Sequence, residues 1–318
     1  KNGAELIDPL TGKVRDGVTR KYNPENWEDH AFGTSKRSET TMSISGGSDN
    51  TTYYTSFGYL KDEGYIVNSE FEKYSTRLNI THKAKDWLTG SVDMGYTYAK
   101  SKNNGQTSDS GSVFWFTDNI PSIYPLFSRD AKGNMIADPI FGGNQYDYGV
   151  GRGFGALTNS IADATYDKNF YNRHEMNVNA FLKADITSYL SFETRIGGQY
   201  FNNNRNMYGN PYYGSSVSSG GAIDKTKTEM FSWNWLQLLR FNKRFGNHGV
   251  QAFVAHEFNS WSRDYLYAGK TGIFEDGGMD LNNGVITQKS QSYRYEYTLE
   301  SYFGQLSYDY NNKYLFSA

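Results

Sequence analysis

The sequence of 318 residues contains no cysteine and no apolar run of the length that a membrane-spanning helix requires. Without cysteine there is no disulfide framework, no thiolate nucleophile and no cysteine-ligated metal. A spanning helix needs about 20 apolar residues, so a helical membrane protein is excluded. Neither sign of charge predominates, since the net charge is −2. That balance argues against nucleic acid or an anionic membrane surface as the main partner.

Aromatic residues, in contrast, make up 17% of the chain and include 27 tyrosines, although the mean hydropathy is only −0.72. Disordered chains are depleted in aromatic residues, so this composition indicates a folded protein. Helical periodicity is almost absent, whereas alternation of apolar and polar residues with period two is common. It is clearest in segments 74–82, 88–98, 190–200, 231–241, 250–258 and 302–310.

The polar faces of these segments carry charged and amide side chains, among them Arg77, Glu193, Arg195 and Glu257, which we expect to form a solvated charge network. Several alternating runs exceed the ~5–6 residues typical of a soluble sandwich and approach the ~9–11 needed to cross a bilayer at a tilt. The pattern therefore favours a membrane β-barrel over a soluble all-β protein.

The connections between the predicted strands alternate in length. Short turns are expected near 46–50, 84–86, 187–189, 246–249 and 311–312, and longer connections over about 61–72, 101–168, 203–228 and 260–291. One end of the sheet then carries the turns and the other carries the loops, as in outer-membrane barrels with short periplasmic turns and long extracellular loops. Aromatic residues near the expected strand ends are candidates for a girdle at the membrane interface: Tyr53, Tyr59, Trp87, Tyr96, Tyr98 and Trp233.

Two ordered blocks of motifs carry a resemblance to a known family. The first contains Asn26-Trp27-Glu28-Asp29, Ser45-Gly46-Gly47, Ser56-Phe57-Gly58-Tyr59, Glu63-Gly64-Tyr65 and Lys73-Tyr74-Ser75-Thr76-Arg77-Leu78-Asn79. The second contains Tyr302-Phe303-Gly304-Gln305-Leu306-Ser307-Tyr308-Asp309-Tyr310 and Lys313-Tyr314-Leu315-Phe316-Ser317-Ala318. This order of motifs resembles the SusC/RagA-like TonB-dependent outer-membrane transporters of Bacteroidetes. Asn26, Lys73 and Gln305 depart from the family pattern at single positions.

The resemblance implies an all-β fold, namely about ten strands of an antiparallel transmembrane barrel of roughly 22 strands. Residues 1–37 are expected to be a lead-in or extracellular segment before the first clear strand, and residues 38–318 a partial barrel. The plug domain, with its TonB-contacting region, and the C-terminal barrel strands are expected to lie outside this sequence.

The same resemblance implies TonB-dependent import of an oligosaccharide or peptide across the outer membrane, beneath a lid formed by a SusD-like surface lipoprotein. Aromatic residues in the long connections are candidates for contact with the cargo or the lid: Trp115, Phe116, Tyr124, Phe127, Tyr146, Tyr148, Tyr208, Tyr212 and Tyr213. For any one of these residues, packing between loops or contact with the lid is favoured over direct contact with the cargo. The sequence does not distinguish a glycan from a peptide as the cargo.

No catalytic constellation is present, so we expect neither an enzyme nor a cofactor. His256-Glu257 lacks the second histidine of a zinc-hydrolase motif, and no G-x-S-x-G sequence occurs. Asp138, Asp147 and Asp163 are expected to be solvated loop carboxylates rather than metal ligands. The alternative from another class is a surface-exposed all-β glycan-binding protein or adhesin, which explains the composition but not the alternating connections.

Overall fold

The computed structural model describes residues 3–104, 111–121, 124–149, 159–274 and 278–318. These residues form one sheet of ten antiparallel strands, in which each strand pairs with the next one along the chain. The expected all-β fold of about ten antiparallel strands is thus confirmed. The strands are β1 (Lys36–Ser48), β2 (Thr51–Glu63), β3 (Ser69–Lys85), β4 (Leu88–Asn103), β5 (Lys168–Thr187), β6 (Leu190–Gly209), β7 (Ala222–Phe245), β8 (His248–Ile273), β9 (Gly284–Tyr310) and β10 (Tyr314–Ser317).

Among the described residues, the helices are short pieces that lie before β1 or in the connections between strands. They are α1 (Gly3–Leu6), α2 (Glu28–Ala31), α3 (Val113–Asn119) and α4 (Ser160–Tyr166), with 3-10 turns at Val217–Ser219 and Leu281–Asn283. At seven residues or fewer they are too short for the 3.6-residue period to show in the sequence. Within the described ranges, no helix has the length and apolar character needed to cross a membrane.

One face of the sheet, which we name the outer face, carries an apolar band that is interrupted by the polar neighbours Gln237 and His256. The band runs from Leu88 to Tyr98 on β4, from Phe192 to Tyr200 on β6, from Phe241 to Phe231 on β7 and from Leu306 to Tyr302 on β9. Alternate residues on the opposite, inner face are mostly polar. This is the arrangement of a barrel wall, with lipid outside and water inside.

The apolar stretches of neighbouring strands lie side by side because the hairpins are staggered. Thr51 pairs with His82, yet β3 continues to Lys85 before its turn. In the next hairpin Leu88 pairs with Ala184, and β5 again continues past this pair, to Thr187. β7 likewise continues to Phe245 beyond the Leu190–Phe241 pair, whereas His248 of β8 pairs with Tyr310, the last residue of β9. An offset of this kind is the register shift that tilts the strands of a closed barrel.

An aromatic row marks the upper edge of the band, at the end away from the turns. The rings of Tyr59 and Tyr74 lie 4.9 Å apart, those of Tyr74 and Tyr98 6.4 Å apart, and Tyr98 stacks on His174 at 4.7 Å. Tyr59, Tyr96 and Tyr98, which are three of the six expected girdle residues, lie in or next to this row. Tyr53 and Trp87 lie at the turn end of the sheet, and Trp233 packs within the band against Phe258, 5.0 Å away.

The expected loop boundaries are wrong for three of the four long connections. The expected connections 61–72, 203–228 and 260–291 are only 64–68, 210–221 and 274–283, because β2, β3 and β6–β9 extend beyond the band. The fourth, expected over 101–168, spans 104–167. Along these extensions the outer face carries polar side chains such as Asn204, Lys227 and Asp264, so they lack the apolar alternation by which strands are recognised.

Candidate functional site

A small hydrophobic core organises the connection between β4 and β5 and attaches the N-terminal segment to it. Trp27 is buried, its Nε1 donates to the carbonyl oxygen of Tyr124 at 3.2 Å, and its ring lies 5.1 Å from that of Phe116. The other buried members of this core are Ala31, Ile66, Val113, Leu126, Ile161 and Ala164. The N-terminal segment around Trp27 and Ala31, the β2–β3 connection at Ile66 and the described parts of the 104–167 connection therefore pack together, and we call them the loop assembly.

A buried ion pair joins the N-terminal segment to the same assembly. Glu25 binds the guanidinium of Arg129, and both side chains are almost fully covered. The second carboxylate oxygen of Glu25 accepts from the backbone N–H of Leu126 at 3.2 Å. The Arg129 guanidinium also lies 4.5 Å from the ring centre of Tyr22. Charge, hydrogen bonding and ring contact thus fix residues 22–27 in place.

Asp138 organises the second part of the site. Its Oδ1 accepts from the backbone N–H groups of Ile140 and Phe141 at 2.8 and 3.0 Å. The hydroxyl of Tyr213 donates to Oδ1 at 3.0 Å, and that of Tyr166 donates to Oδ2 at 3.0 Å. Burial raises the pKa of Asp138, but these donors outweigh it, so the pKa lies below its usual value.

Rings from three stretches of chain pack around this carboxylate, and we call them the tyrosine cluster. Phe141 stacks on Tyr166 at 4.2 Å, and Tyr148 is nearly parallel to Tyr213 at 6.0 Å. Tyr166 and Tyr213 lie 5.8 Å apart. Tyr146 and Tyr212 complete the set by edge contacts with Tyr166 and Phe141. The cluster couples the 104–167 connection to the 210–221 connection.

Two further carboxyls, one helical turn apart at the end of α4, support the cluster. Tyr148 donates to Oδ1 of Asp163 at 3.0 Å, and Asp167 accepts from the backbone N–H of Asn210 at 2.7 Å. Burial raises the pKa of Asp163 to about 7, and the neighbouring charge of Asp167 adds to this effect. Burial likewise raises the pKa of Asp167 to about 6. Gly214, with φ of +83°, approaches Asp163 so closely that an added Cβ would collide with Oδ1.

The nine predicted contact residues fall into different surroundings. Tyr146, Tyr148, Tyr212 and Tyr213 belong to the tyrosine cluster, and Phe127 packs on Tyr146 at 5.0 Å. The remaining four lie elsewhere: Phe116 in the buried core, Trp115 half exposed beside it, Tyr124 where its carbonyl meets Trp27, and Tyr208 on β6 beneath the ammonium of Lys168.

The expectation that Asp138, Asp147 and Asp163 are solvated is wrong. Asp138 and Asp147 are 5% and 6% exposed, and Asp163 is half-buried, with its Oδ1 accepting from the hydroxyl of Tyr148. Hydrogen-bond donors that lie close to these carboxylates in the fold make their burial possible, and the sequence does not reveal them. The described residues include no group of three or more metal-ligating side chains. On the inner face of the wall, Glu193 is also buried, contrary to the expected solvated network, whereas its partner Arg195 is 54% exposed.

Sequence reasoning did not single out Phe141 and Tyr166 or recognise the role of Asp167. The usable signal was Asn159, which precedes α4 and accepts from the backbone N–H of Ala162 at 3.1 Å, as an N-cap does. A helix placed there would have set Asp163 and Asp167 one turn apart on one side.

This barrel-wall sheet with a folded loop assembly at one end accompanies sequence similarity to TonB-dependent receptors. The TonB-dependent receptor P3 of Formosa agariphila is 26% identical over 99% of this chain, which covers 31% of the relative. The TonB-dependent receptor SusC of Bacteroides thetaiotaomicron is 22% identical over 92% of this chain and 29% of the relative. The chain thus spans about a third of the length of these curated relatives. No family model matches the sequence.

Solved structures show the same fold. The RagAB peptide importer in its "open-open" state aligns with a TM-score of 0.73 at 22% identity, over 99% of this chain and 35% of that one. A second structure of the RagAB peptide transporter aligns with a TM-score of 0.72 over 93% of this chain and 32% of the other. The resemblance to SusC/RagA-like TonB-dependent transporters that the motifs indicate is confirmed. These relatives are named as receptors or transporters and not as enzymes.

Proposed function

We propose that this chain forms part of the wall of an outer-membrane importer whose transport is driven through TonB. The observation that carries the proposal is the apolar band, bounded by the Tyr59–Tyr74–Tyr98 row, on a sheet in which three successive hairpins are staggered in the same direction. A soluble sheet has no reason to keep a band of constant height on one face, whereas a bilayer imposes one.

The orientation follows from the connections. The short turns at 49–50, 86–87, 188–189 and 246–247 would face the periplasm, and the loop assembly would face the cell exterior. Residues 1–37 would then belong to the extracellular side, because Glu25 and Trp27 anchor them to the loop assembly. Residues 38–318 would form part of the barrel, and the plug and remaining strands would be supplied by other parts of the whole protein.

The proposed cargo is an oligosaccharide or a peptide, and the proposed partners are a SusD-like surface lipoprotein and the TonB complex. Peptide is the cargo that the RagAB structures name for their own protein. The loop assembly offers the lid a folded surface, since its connections are joined through the Asp138–Tyr213 bond and the Trp27 core. The TonB complex would act on the plug of the whole protein.

The test uses the full-length protein in its native host. A barrel should remain folded in detergent at room temperature and change its gel mobility on boiling, and it should fractionate with outer-membrane lipid. Deleting its gene, or the gene for TonB, should abolish uptake of the same cargo to the same extent. A full-length chain that stays soluble without detergent would refute the proposal and favour the surface-exposed binding protein instead.

A further inference from the structure

The outer face of the sheet becomes basic beyond the apolar band on strands β4 to β7. Tyr200 and Phe231, which end the band on β6 and β7, lie in one row with Tyr96 and Met176. Beyond this row the outer faces of these four strands, all within the described ranges, carry one carboxylate, Glu229, and five lysines: Lys100, Lys102, Lys168, Lys225 and Lys227. A basic surface therefore borders the surface that is proposed to meet lipid.

Four of these lysines occupy the corners of a rectangle on the sheet, which we call the lysine frame. Its two rows follow from the strand pairing: Lys100, Asn172, Asn204 and Lys227 in the lower row, and Lys102, Phe170, Asn206 and Lys225 in the upper row. Three strand spacings separate β4 from β7, so the frame is about 14 Å wide. The rows lie two residues apart along each strand, which is about 7 Å.

The carboxylates that pair with the corner lysines stand outside the frame. Glu70 and Glu72 lie on β3, Glu229 lies in the row below, and Asp280 belongs to the 274–283 connection. The four lysine side chains remain 35% to 56% exposed, and the Lys100–Glu72 separation is 3.8 Å. Exposed ion pairs of this kind are weak, so an anion held between the lysines can compete with them.

The interior of the frame is uncharged and combines amides with one ring. Asn172, Asn204 and Asn206 supply amide donors and acceptors, and Nδ2 of Asn204 donates to Oδ1 of Asn202 in the row below at 2.9 Å. Phe170 lies beside them in the upper row. A groove of about 310 Å³ opens between β4 and β5, and Lys100, Lys102, Phe170 and Asn172 are among its lining residues.

We propose that the lysine frame binds the headgroup of a phosphorylated glycolipid whose acyl chains lie along the apolar band below it. The proposal rests on the proposed placement of the outer face in lipid, and its ligand is distinct from the transported cargo. Lysine ammonium groups bind phosphate, and basic clusters beside a membrane surface recognise anionic lipid headgroups. Amides at the centre of the frame suit sugar hydroxyls. A soluble anion would gain nothing from the adjoining apolar band.

The experiment measures lipid binding by the full-length protein purified in detergent, with native mass spectrometry to count the bound molecules. The probe is bisphosphorylated lipid A, compared with the same lipid after enzymatic removal of its phosphates and with phosphatidylglycerol. The wild-type protein should bind bisphosphorylated lipid A more tightly than either of the others. K100Q/K227Q should bind it about 25-fold more weakly, at about fivefold for each lysine near an anionic headgroup.

A second variant tests the sugar contacts separately from the phosphate contacts. N172A/N204A keeps all of the lysines, so it should still bind phosphorylated lipids but should no longer prefer bisphosphorylated lipid A to phosphatidylglycerol. The matched control is R173Q/R205Q, which removes two positive charges from the inner face of β5 and β6 next to the same asparagines. The control should bind lipid A as the wild type does, and every variant should keep its change of gel mobility on boiling.

Unchanged binding by K100Q/K227Q, or an equal loss in R173Q/R205Q, would overturn the site. Wild-type protein that binds dephosphorylated lipid A or phosphatidylglycerol equally well would overturn the assignment to a phosphorylated glycolipid, as would displacement of lipid A by inorganic phosphate. A full-length protein that stays soluble without detergent would refute the importer itself. A barrel that inserts into lipid but fails these comparisons would refute only the lysine frame.

Discussion

Tyr213 and Asp138, 75 residues apart in sequence, are joined by a hydrogen bond of 3.0 Å from the tyrosine hydroxyl to Oδ1 of the carboxylate. This bond connects the 210–221 connection to the 104–167 connection. Asp138 is almost fully buried, so water has little access to its oxygen and could not replace the tyrosine hydroxyl if that donor were removed. The bond therefore couples two loops that the strands alone would leave independent.

Replacing Tyr213 by phenylalanine should uncouple these two connections. Hydrogen bonds to charged groups contribute about 1.5–3 kcal/mol, and the ring contacts of residue 213 are retained in the variant. We expect faster hydrogen exchange in residues 210–221 of the full-length protein, with unchanged gel mobility of the barrel. Tyr212→Phe is the matched control, because within the described residues no hydrogen bond is made by its hydroxyl. Equal exchange in Y213F and wild type would contradict the assigned role.

The loop assembly should be more stable at acidic pH. In the folded loop the pKa of Asp163 is about 7 and that of Asp167 about 6, whereas an unfolded aspartate has a pKa of about 3.9. Since the folded state holds its protons more tightly, this stabilisation is complete below pH ~4 and is lost as the pH rises towards 7. Hydrogen exchange of residues 159–167, corrected for intrinsic rates, should be about tenfold slower at pH 5 than at pH 8.

Asp163→Asn supplies the control for this pH dependence. The amide is isosteric with the protonated carboxyl and still accepts from Tyr148, so the variant should lose most of the pH dependence and keep only the part that Asp167 contributes. Asp138 has a lowered pKa and stays ionised over this range, so it should not contribute. A variant that keeps the full pH dependence of the wild type would show that Asp163 is not its source.

The Glu25–Arg129 pair should be required to hold the N-terminal segment. Removing one partner of a buried pair typically costs about 3–5 kcal/mol, because the other charge is left without compensation. Glu25→Gln should therefore expose residues 20–35 to proteolysis in the assembled protein. Glu70→Gln breaks the more exposed Lys102–Glu70 pair, which is worth at most about 1 kcal/mol, and should leave the digestion pattern unchanged. If residues 20–35 resist proteolysis equally in both variants, the Glu25–Arg129 pair does not hold the N-terminal segment in place.

The apolar band can be tested with two neighbouring residues of β4. Val92 is exposed on the outer face, and Ser91 lies on the inner face. An arginine facing lipid near the middle of the bilayer costs about 2–4 kcal/mol, so Val92→Arg should lower the urea midpoint of the protein folded in lipid vesicles. Ser91→Arg should change it little. A larger loss for S91R would mean that the faces have been assigned the wrong way round.

The sequence predicts the sheet better than it predicts the loops, for a physical reason. Residues 88–98 alternate because one face meets lipid, so the strand is visible as a pattern. Residues 284–301 form a strand of the same sheet with a charged outer face and an aromatic inner face, and the expected loop at 260–291 covered part of it. The tyrosine cluster depends on contacts such as Asp138–Tyr213 that span long stretches of sequence, and no local pattern records them.

Trp115 and Phe116 are neighbours on α3, and truncating each of them should affect a different property of the protein. Phe116 is 4% exposed and packs on Trp27, so Phe116→Ala should destabilise the loop assembly by about 3–5 kcal/mol. Trp115 is 50% exposed, so Trp115→Ala should change stability by about 0.5 kcal/mol or less. If this ring contacts the lid, the same variant should capture the SusD-like lipoprotein more weakly. Hydrogen exchange of residues 113–119 measures the first effect, and co-purification of the lipoprotein measures the second. If W115A captures the lipoprotein normally, Trp115 does not contact the lid. If hydrogen exchange in F116A is normal, Phe116 does not stabilise the core of the loop assembly.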